Sequence, residues 1–179
     1  MIELNDSYGP RKYSNLLLTD IDTEDVNTTI PNKLNVKYLA DFPNELDGDM
    51  SGIMYGANLR LFCATTVKIK NNIKMVIFLV DTGSPVTYIS EEVLRSFRIE
   101  LKDPMNDIFH VRINNKRELV KMSHAHFKDI CILGMSFLTS NKVGLHAFCG
   151  EDIFYLNFDE KFGESNNDEI IEIKLATLE

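Results

Sequence analysis

The 179-residue sequence has no tryptophan, only three cysteines and no long apolar run. Its longest uninterrupted apolar stretch runs from Met75 to Val80, whereas a membrane-spanning helix needs about 20 such residues. Cys63, Cys131 and Cys149 lie far apart and form no Cys-x-x-Cys pair, which predicts reduced thiols and no structural disulfide. The sequence therefore predicts no membrane span, and the cysteine pattern favours an intracellular, cytoplasmic location.

Charge is distributed unevenly along the chain, whose net charge is -8. Residues 1–50 carry 4 basic and 10 acidic side chains, residues 51–158 carry 13 and 10, and residues 159–179 carry 2 and 7. Acidic flanks thus surround a mildly basic middle. Either the flanks are solubilising termini, or a flank folds back over the basic middle. No cluster of Lys and Arg with interleaved aromatics occurs, so nucleic-acid binding is not predicted.

A chain of this length is expected to hold one folded domain with extensions. Residues 1 to about 50 show neither helical nor strand periodicity, and they contain acidic stretches such as Asp20 to Asp25. We therefore predict an acidic N-terminal extension over residues 1–58 that is partly disordered or packed on the domain. Residues 59–158 form the domain itself, and residues 159–179 form an acidic C-terminal tail.

The predicted domain consists of short β-rich runs separated by turns. Ser90 is predicted to cap a short helix that begins at Glu91, and a second short helix covers 135–138. The apolar and alternating patterns predict strands at 65–70, 75–80, 86–89, 109–113, 118–122, 130–133, 143–148 and 153–158. The Asn114-Asn115-Lys116 segment is predicted to form the turn of a hairpin between the strands 109–113 and 118–122. This is the pattern of an all-β fold with two small helices.

One segment of the domain carries candidate chemistry. The continuously apolar strand 75–80 ends at an Asp-Thr-Gly-Ser segment, residues 81–84. A carboxylate at the end of a buried strand loses solvation and needs hydrogen bonds, and a glycine two residues later lets another backbone approach closely. An ordinary turn would explain the tripeptide alone. However, an Ile-Leu-Gly strand end at 132–134, 53 positions after the aspartate, precedes the second predicted helix.

Together the two segments resemble the retropepsin (retroviral-type) family of aspartic proteases, over about residues 60 to 158. The resemblance implies a closed acid-protease barrel, and it implies a peptide or polyprotein substrate hydrolysed by activated water without a cofactor or metal. Asp81 would be the catalytic carboxylate. Because such sites need two carboxylates and the chain holds one Asp-Thr-Gly, the resemblance implies a homodimer that pairs Asp81 from both copies.

The resemblance also implies roles for the neighbours of Asp81. Thr82 would tie the two active loops together, Gly83 would leave room for the substrate backbone, and Ser84 would hydrogen-bond the outer carboxylate oxygen. Leu133 and Gly134 would pack beside this loop. Four further residues are predicted to line substrate subsites: Val86, Tyr88, Ile108 and Ile132.

The sequence departs from the family in two places. No glycine lies between Gly83 and Gly134, so the glycine-rich flap that closes over substrate is expected to be short or absent. Only about residues 98 to 108 are left to form it. Pro85 and Met135 stand where viral members commonly pair an Asp with an Arg, and apolar contacts are expected to replace that pair.

Three alternatives remain open. Gly52 to Gly56 has the glycine spacing of a lid that would replace the flap, although it also suits a loop leading into the first strand. The main alternative function is a catalytically inactive retropepsin-fold module for dimerisation or peptide binding. A zinc site is a third possibility, although the spacing of its candidate ligands matches no compact motif. These candidates are His124, His126, Cys131, His146 and Cys149.

Overall fold

The computed structural model describes residues 20–158. Within this part of the chain there are nine strands and three short α-helices. The strands are β1 (Met50–Tyr55), β2 (Arg60–Ile69), β3 (Asn72–Val80), β4 (Thr87–Ile89), β5 (Ile108–Ile113), β6 (Lys116–Met122), β7 (Cys131–Leu133), β8 (Gly144–Phe148) and β9 (Ile153–Asn157). The helices are α1 (Ile30–Lys33), which continues a π-helical turn at Asp25–Thr29, α2 (Glu91–Ser96) and α3 (Met135–Ser140).

Six strands close into a barrel. Around the barrel, β3 pairs with β7, β7 with β4, β4 with β6, β6 with β5, β5 with β2, and β2 again with β3. The β3–β7 and β4–β6 pairings are parallel, and the other four are antiparallel. The predicted all-β closed barrel is confirmed, as are its two short helices, α2 and α3. The remaining helix, α1, lies N-terminal to the predicted domain.

Strand β3 is buried on both faces, as its unbroken apolar run predicts. Phe78 and Val80 belong to the barrel core, whereas Ile77 and Leu79 belong to a second apolar cluster. Three residues from the N-terminal part of the chain also belong to this second cluster: Ile21, Val26 and Ile30. The strand that leads to Asp81 is therefore held between the barrel core and the N-terminal segment.

Local signals in the sequence set the turns and the helix start. Asn114 and Asn115 connect β5 to β6 with φ values of 49° and 60°, as a tight two-residue hairpin turn requires. Ser90 caps α2, because its Oγ accepts a hydrogen bond from the N–H of Val93 at 3.3 Å. Both features were predicted from the residue types.

An N-terminal strap, residues 20–49, wraps around the barrel. Of the six ion pairs found among residues 20–158, five join an acid of the strap to a base on a barrel strand. These pairs, with N–O distances of 2.7 to 3.1 Å, are Asp20–Arg60, Asp41–Lys74, Glu45–Lys68, Glu45–Arg112 and Asp47–Lys116. For this flank, folding back over the basic middle is the observed arrangement.

The prediction for residues 1–58 left open whether the extension is partly disordered or packed on the domain. The described residues 20–49 pack on the barrel and include helical turns at 25–33. Residues 1–19 and the tail, 159–179, lie outside the described residues. The boundary between residues 58 and 59 stays a prediction, and β1, which precedes it, is part of the same sheet as the barrel.

The lid hypothesis for Gly52 to Gly56 is wrong. Most of this segment lies in β1, which pairs with β2 on one side and with β9 on the other. A Cβ at Gly52 would lie 2.2 Å from the ring of Phe154 and 2.5 Å from the carbonyl oxygen of Phe62, so close packing explains this glycine. A segment paired on both edges is not free to close over a cleft.

The second apolar cluster makes the strap a stabilising element. Ile30 is fully buried in it, so we expect Ile30→Ala to lower the free energy of unfolding by about 2–5 kcal/mol. Asn32→Ala, an exposed change in the same helix, should alter it by less than about 0.5 kcal/mol. Urea unfolding followed by circular dichroism measures the free energy of unfolding of both variants. Equal midpoints would contradict a stabilising role for the strap.

Glu45 should make stability depend on pH. Burial opposes its ionisation, but hydrogen bonds from Arg112 and Lys68 outweigh burial and hold the pKa of Glu45 below its usual range. The unfolded value is about 4.3, so the stabilisation is complete above that pH and is lost as pH falls through the folded pKa. We therefore expect the free energy of unfolding to fall below about pH 5.

The Glu45→Gln variant should show a shallower acid dependence than the unmodified chain, because this titration is removed. Urea unfolding between pH 7 and pH 3 gives the comparison. Glu151→Gln is the control, since Glu151 is exposed and forms no ion pair among the described residues. Identical slopes for the unmodified chain and Glu45→Gln would show that these ion pairs do not stabilise the fold.

Candidate active site

Asp81 lies immediately after β3, where β3 meets β7. Its main-chain N–H donates to the carbonyl oxygen of Leu133 at 3.1 Å, and its own carbonyl oxygen accepts from the N–H of Ser84 at 3.1 Å. The carboxylate atom Oδ1 accepts a hydrogen bond from the N–H of Gly83 at 2.9 Å. A tight turn thus fixes a half-buried carboxylate at the end of a buried strand.

Backbone hydrogen bonds join the loop that carries Asp81 to the start of α3. The N–H groups of Met135 and Ser136 donate to the carbonyl oxygens of Ser84 (2.8 Å) and Pro85 (3.1 Å). The first N–H groups of a helix have no partner within the helix, so the loop satisfies donors that would otherwise be unpaired. Pro85 and Met135 were expected to be joined by apolar contacts. Backbone hydrogen bonds join the two segments, and Met135 packs against the barrel core.

Gly134 allows the Asp81 loop and the start of α3 to approach closely. A Cβ at this position would lie 2.3 Å from the carbonyl oxygen of Val86 and 2.9 Å from that of Ser84. Both contacts are with backbone atoms, which cannot rotate away as a flexible side chain can. Leu133 and Gly134 therefore lie against the Asp81 loop, as the resemblance implies.

A network of polar side chains also joins the Asp81 loop region to α3. Thr87 Oγ1 accepts a hydrogen bond from the N–H of Gly134 at 3.3 Å and lies 3.2 Å from Ser136 Oγ. Ser136 Oγ in turn donates to Glu118 Oε1 at 2.6 Å. This network was not predicted, because the three side chains come from β4, α3 and β6, which only the folded barrel brings together.

Ser84 forms a different hydrogen bond from the one expected with the Asp81 carboxylate. Its hydroxyl donates to the carbonyl oxygen of Val86, two residues on, at 2.8 Å. Short local bonds of this kind are typical of serine in turns, and here one directs the hydroxyl to the backbone. Instead, the N–H of Gly83 bonds the Asp81 carboxylate. Thr82 and Gly83 are exposed, and the expected contact of Thr82 with a second copy stays a prediction.

A cavity of about 350 Å³ opens beside Asp81. Tyr88 and Ile132, which face each other across the β4–β7 pairing, form part of its wall. The other lining residues are Gly83, Ser84, Ser123, His124, Ala125 and Phe127. A second cavity, of about 200 Å³, is also lined by Asp81 and Phe127, together with Leu59, Arg60, Leu61, Leu79 and Val80. The carboxylate therefore lies between two adjoining cavities.

The structure separates the four predicted subsite residues into two pairs. Tyr88 and Ile132 line the cavity next to Asp81. Val86 and Ile108 line a different groove, on the outer face of β5 and β6. The structure does not bring Val86 and Ile108 to the carboxylate, and the substrate contacts of all four residues stay a prediction.

The cavity is bordered by a loop that sequence reasoning missed. Residues 98–107, the only candidates for a flap, contain no strand and line neither cavity. The β6–β7 loop borders the carboxylate instead, through His124 and Phe127. The ring of His124 meets that of Tyr88 edge to face, 5.9 Å between centroids. Phe127 is the one Phe, Tyr or Trp in this loop, and nothing in its sequence context marked it as part of a cavity wall.

The zinc alternative finds no cluster of ligands. The side chain of His126 lies outside the described residues. Among the described side chains of residues 20–158, no three His, Cys, Asp or Glu residues are close enough to share a metal ion. Burial raises the pKa of Cys63 to about 12 and that of Cys131 to about 11, so both thiols are protonated at neutral pH. Cys131 Sγ also accepts a hydrogen bond from the N–H of Ser90 at 3.2 Å, so its thiol has a polar partner inside the barrel. Within the same range, no helix is long and apolar enough to cross a membrane.

Comparison with known proteins gives similarities to solved structures and no match to a sequence. No protein-family model and no curated protein sequence matches the chain. The structure is similar to that of a retropepsin-like aspartic protease from Rickettsia conorii, at 19% sequence identity and a TM-score of 0.44. That similarity covers 64% of this chain and 94% of the other.

Proposed function

We propose that this protein is an aspartic endopeptidase in which Asp81 from each of two copies forms one catalytic site. The observation that carries the proposal is the placement of Asp81. Its carboxylate follows a strand buried on both faces, accepts the N–H of Gly83, and lies between two cavities. A carboxylate held by a rigid scaffold beside space for a ligand is the arrangement that acid–base catalysis requires.

In this proposal, a second copy of the chain supplies the second carboxylate. Among the described residues, Asp81 is the only acidic one that lines either cavity, whereas the proposed chemistry needs one carboxylate as base and another as acid. Thr82 and Gly83 are exposed beside it and available for contact. A twofold axis close to these residues would bring the two carboxylates together in one closed homodimer.

In that dimer the two carboxylates share one proton, since two like charges at short range disfavour double ionisation. The ionised carboxylate removes a proton from a water molecule, whose oxygen attacks the carbonyl carbon of the peptide bond. The protonated carboxylate gives its proton to the carbonyl oxygen, which produces a tetrahedral diol. The carboxyl group that took a proton from water then gives it to the amide nitrogen, while the other carboxylate takes a proton from a hydroxyl of the diol. The carbon–nitrogen bond breaks, the two products leave, and the pair of carboxylates again holds one proton.

Hydroxyl geometry supports water as the nucleophile. Two serines line the cavity, and both hydroxyls donate to carbonyl oxygens: Ser84 to Val86 at 2.8 Å and Ser123 to Ile130 at 2.6 Å. A serine nucleophile needs a hydrogen bond to a base. Among the described side chains, which do not include that of His126, neither hydroxyl forms one with a histidine, because both donate to the main chain. The substrate in this proposal is an extended peptide or polyprotein segment.

Cleavage of a mixed peptide library by the purified full chain near pH 5 tests the proposal, with the solution mass measured in parallel. Cleavage by a dimer is the expected result. The alternative is a non-catalytic dimerisation or peptide-binding module. The loop at 98–107 favours it, because this loop contains no strand and no hairpin of the described part of the chain closes over the cavity. A folded dimer that binds peptides from the library without cutting them would establish that alternative.

A further inference from the structure

A groove of about 440 Å³ lies outside the proposed active site, on the outer face of β5 and β6 and beside α3. Its lining residues are Val86, Ile108, His110, Arg117, Glu118, Leu119, Lys121, Ser136 and Ser140. Ile108 is 52% exposed and Leu119 is 47% exposed. Large apolar side chains gathered in one concave surface indicate a binding site more strongly than isolated ones do.

The rim of this groove is positively charged. Arg117 and Lys121 line it, and an adjoining depression of about 210 Å³ adds Lys70. Within residues 20–158, none of these three cations has a carboxylate oxygen within 4.0 Å. Glu118, the acidic residue of this lining, is buried, accepts the hydroxyl of Ser136 and forms no ion pair with Arg117 or Lys121. The groove is therefore suited to a segment that is both apolar and acidic.

The chain leaves its described part in contact with two elements that also line this groove, α3 and β6. The ring of Phe158 packs edge-on against that of Phe137 in α3, 6.1 Å between centroids, and lies 5.7 Å from Nζ of Lys116 at the start of β6. Helix α3 and strand β6 also line the groove. The next nine residues, 159–167, can span about 30 Å when extended, so the sequence after them can reach it.

That following sequence has the required composition. Residues 168–173 read Asp-Glu-Ile-Ile-Glu-Ile, and residues 159–179 as a whole carry seven acidic and two basic side chains. We propose that residues 168–173 of this same chain bind the groove. The isoleucines cover Ile108 and Leu119, and the acidic side chains face Arg117 and Lys121. The tether raises the local concentration of the segment, so modest individual contacts suffice.

Paramagnetic relaxation in the full-length chain tests this contact. A nitroxide label is attached to Ala176→Cys in a Cys149→Ser background, because Cys149 is the exposed thiol and Cys63 and Cys131 are buried. We expect selective loss of methyl signal intensity at Ile108 and Leu119, and none at Ile30, which is buried in the second apolar cluster. High salt should restore the lost signals, since it screens exposed charges.

Charge variants make the test specific. Glu169→Lys with Glu172→Lys should restore the methyl signals of Ile108 and Leu119. Asp159→Lys with Glu164→Lys makes the same change in net charge outside the proposed segment and should leave the loss intact. A uniform loss over all methyl groups, or a loss that survives Glu169→Lys with Glu172→Lys, would overturn the proposal. So would a loss seen only between different molecules, because it would assign the groove to the tail of another copy.

Discussion

Asp81→Asn is expected to abolish peptide cleavage, with kcat/KM reduced by about 10³-fold or more. In the proposed dimer the substitution removes both carboxylates, so that no group can take a proton from the attacking water. Asparagine has nearly the same shape, and its side-chain oxygen can still accept the N–H of Gly83, which now bonds Oδ1 at 2.9 Å. The loop should therefore keep its structure while the chemistry is lost, as peptide cleavage assays at pH 5 would show.

The matched control is Asp152→Asn. Asp152 is exposed in the turn between β8 and β9, and its backbone has φ 54°, which asparagine tolerates. This variant should cleave at the rate of the unmodified chain. Solution mass and urea unfolding of Asp81→Asn should match those of the unmodified chain, which separates loss of chemistry from loss of assembly. Full cleavage by Asp81→Asn would remove Asp81 from the mechanism.

Gly134→Ala should have the largest effect on stability among single methyl additions to the site. The added Cβ would lie 2.3 Å from the carbonyl oxygen of Val86, so either the Asp81 loop or the start of α3 must move. We expect the free energy of unfolding to fall by about 3 kcal/mol, at the upper end for overpacking, because the obstacle is backbone. Cleavage should fall as well, since the loop that positions the carboxylate is displaced.

Gly150→Ala is the control for this change. A Cβ at Gly150 meets nothing within 4 Å, so the free energy of unfolding should change by less than about 0.5 kcal/mol. Urea unfolding of both variants provides the comparison. If Gly134→Ala were as stable as Gly150→Ala, the close approach between α3 and the Asp81 loop would not be a constraint on the fold.

The features that the sequence predicted correctly are those set by short stretches of chain. The apolar run of β3 identified a strand buried on both faces, Ser90 marked the start of α2, and the Asn114-Asn115 pair marked a hairpin. Each depends on neighbouring residues alone, through strand burial, helix capping or turn geometry. The closed barrel came from the resemblance, and the pairing of β2 with β3 completes it.

The features that the sequence did not predict depend on contacts between distant segments. The strap has no strong periodicity of its own and is held by partners such as Arg60 and Lys68, which lie 40 and 23 positions from Asp20 and Glu45. Ser84 could have bonded either the carboxylate or the backbone, and only the geometry of the turn decides between them. Nothing in the sequence showed that the loop of Phe127, and not a lid or flap, borders Asp81.

The most direct test of the shared site is the stoichiometry of binding of a pepstatin-type inhibitor, measured by calorimetry on the full chain near pH 5. Such an inhibitor mimics the transition state and needs two carboxylates in place, not only an apolar cleft. Two copies of Asp81 in one site predict one inhibitor molecule for every two chains, and no binding by Asp81→Asn. One inhibitor per chain, or undiminished binding by Asp81→Asn, would contradict a site built from two copies of this residue.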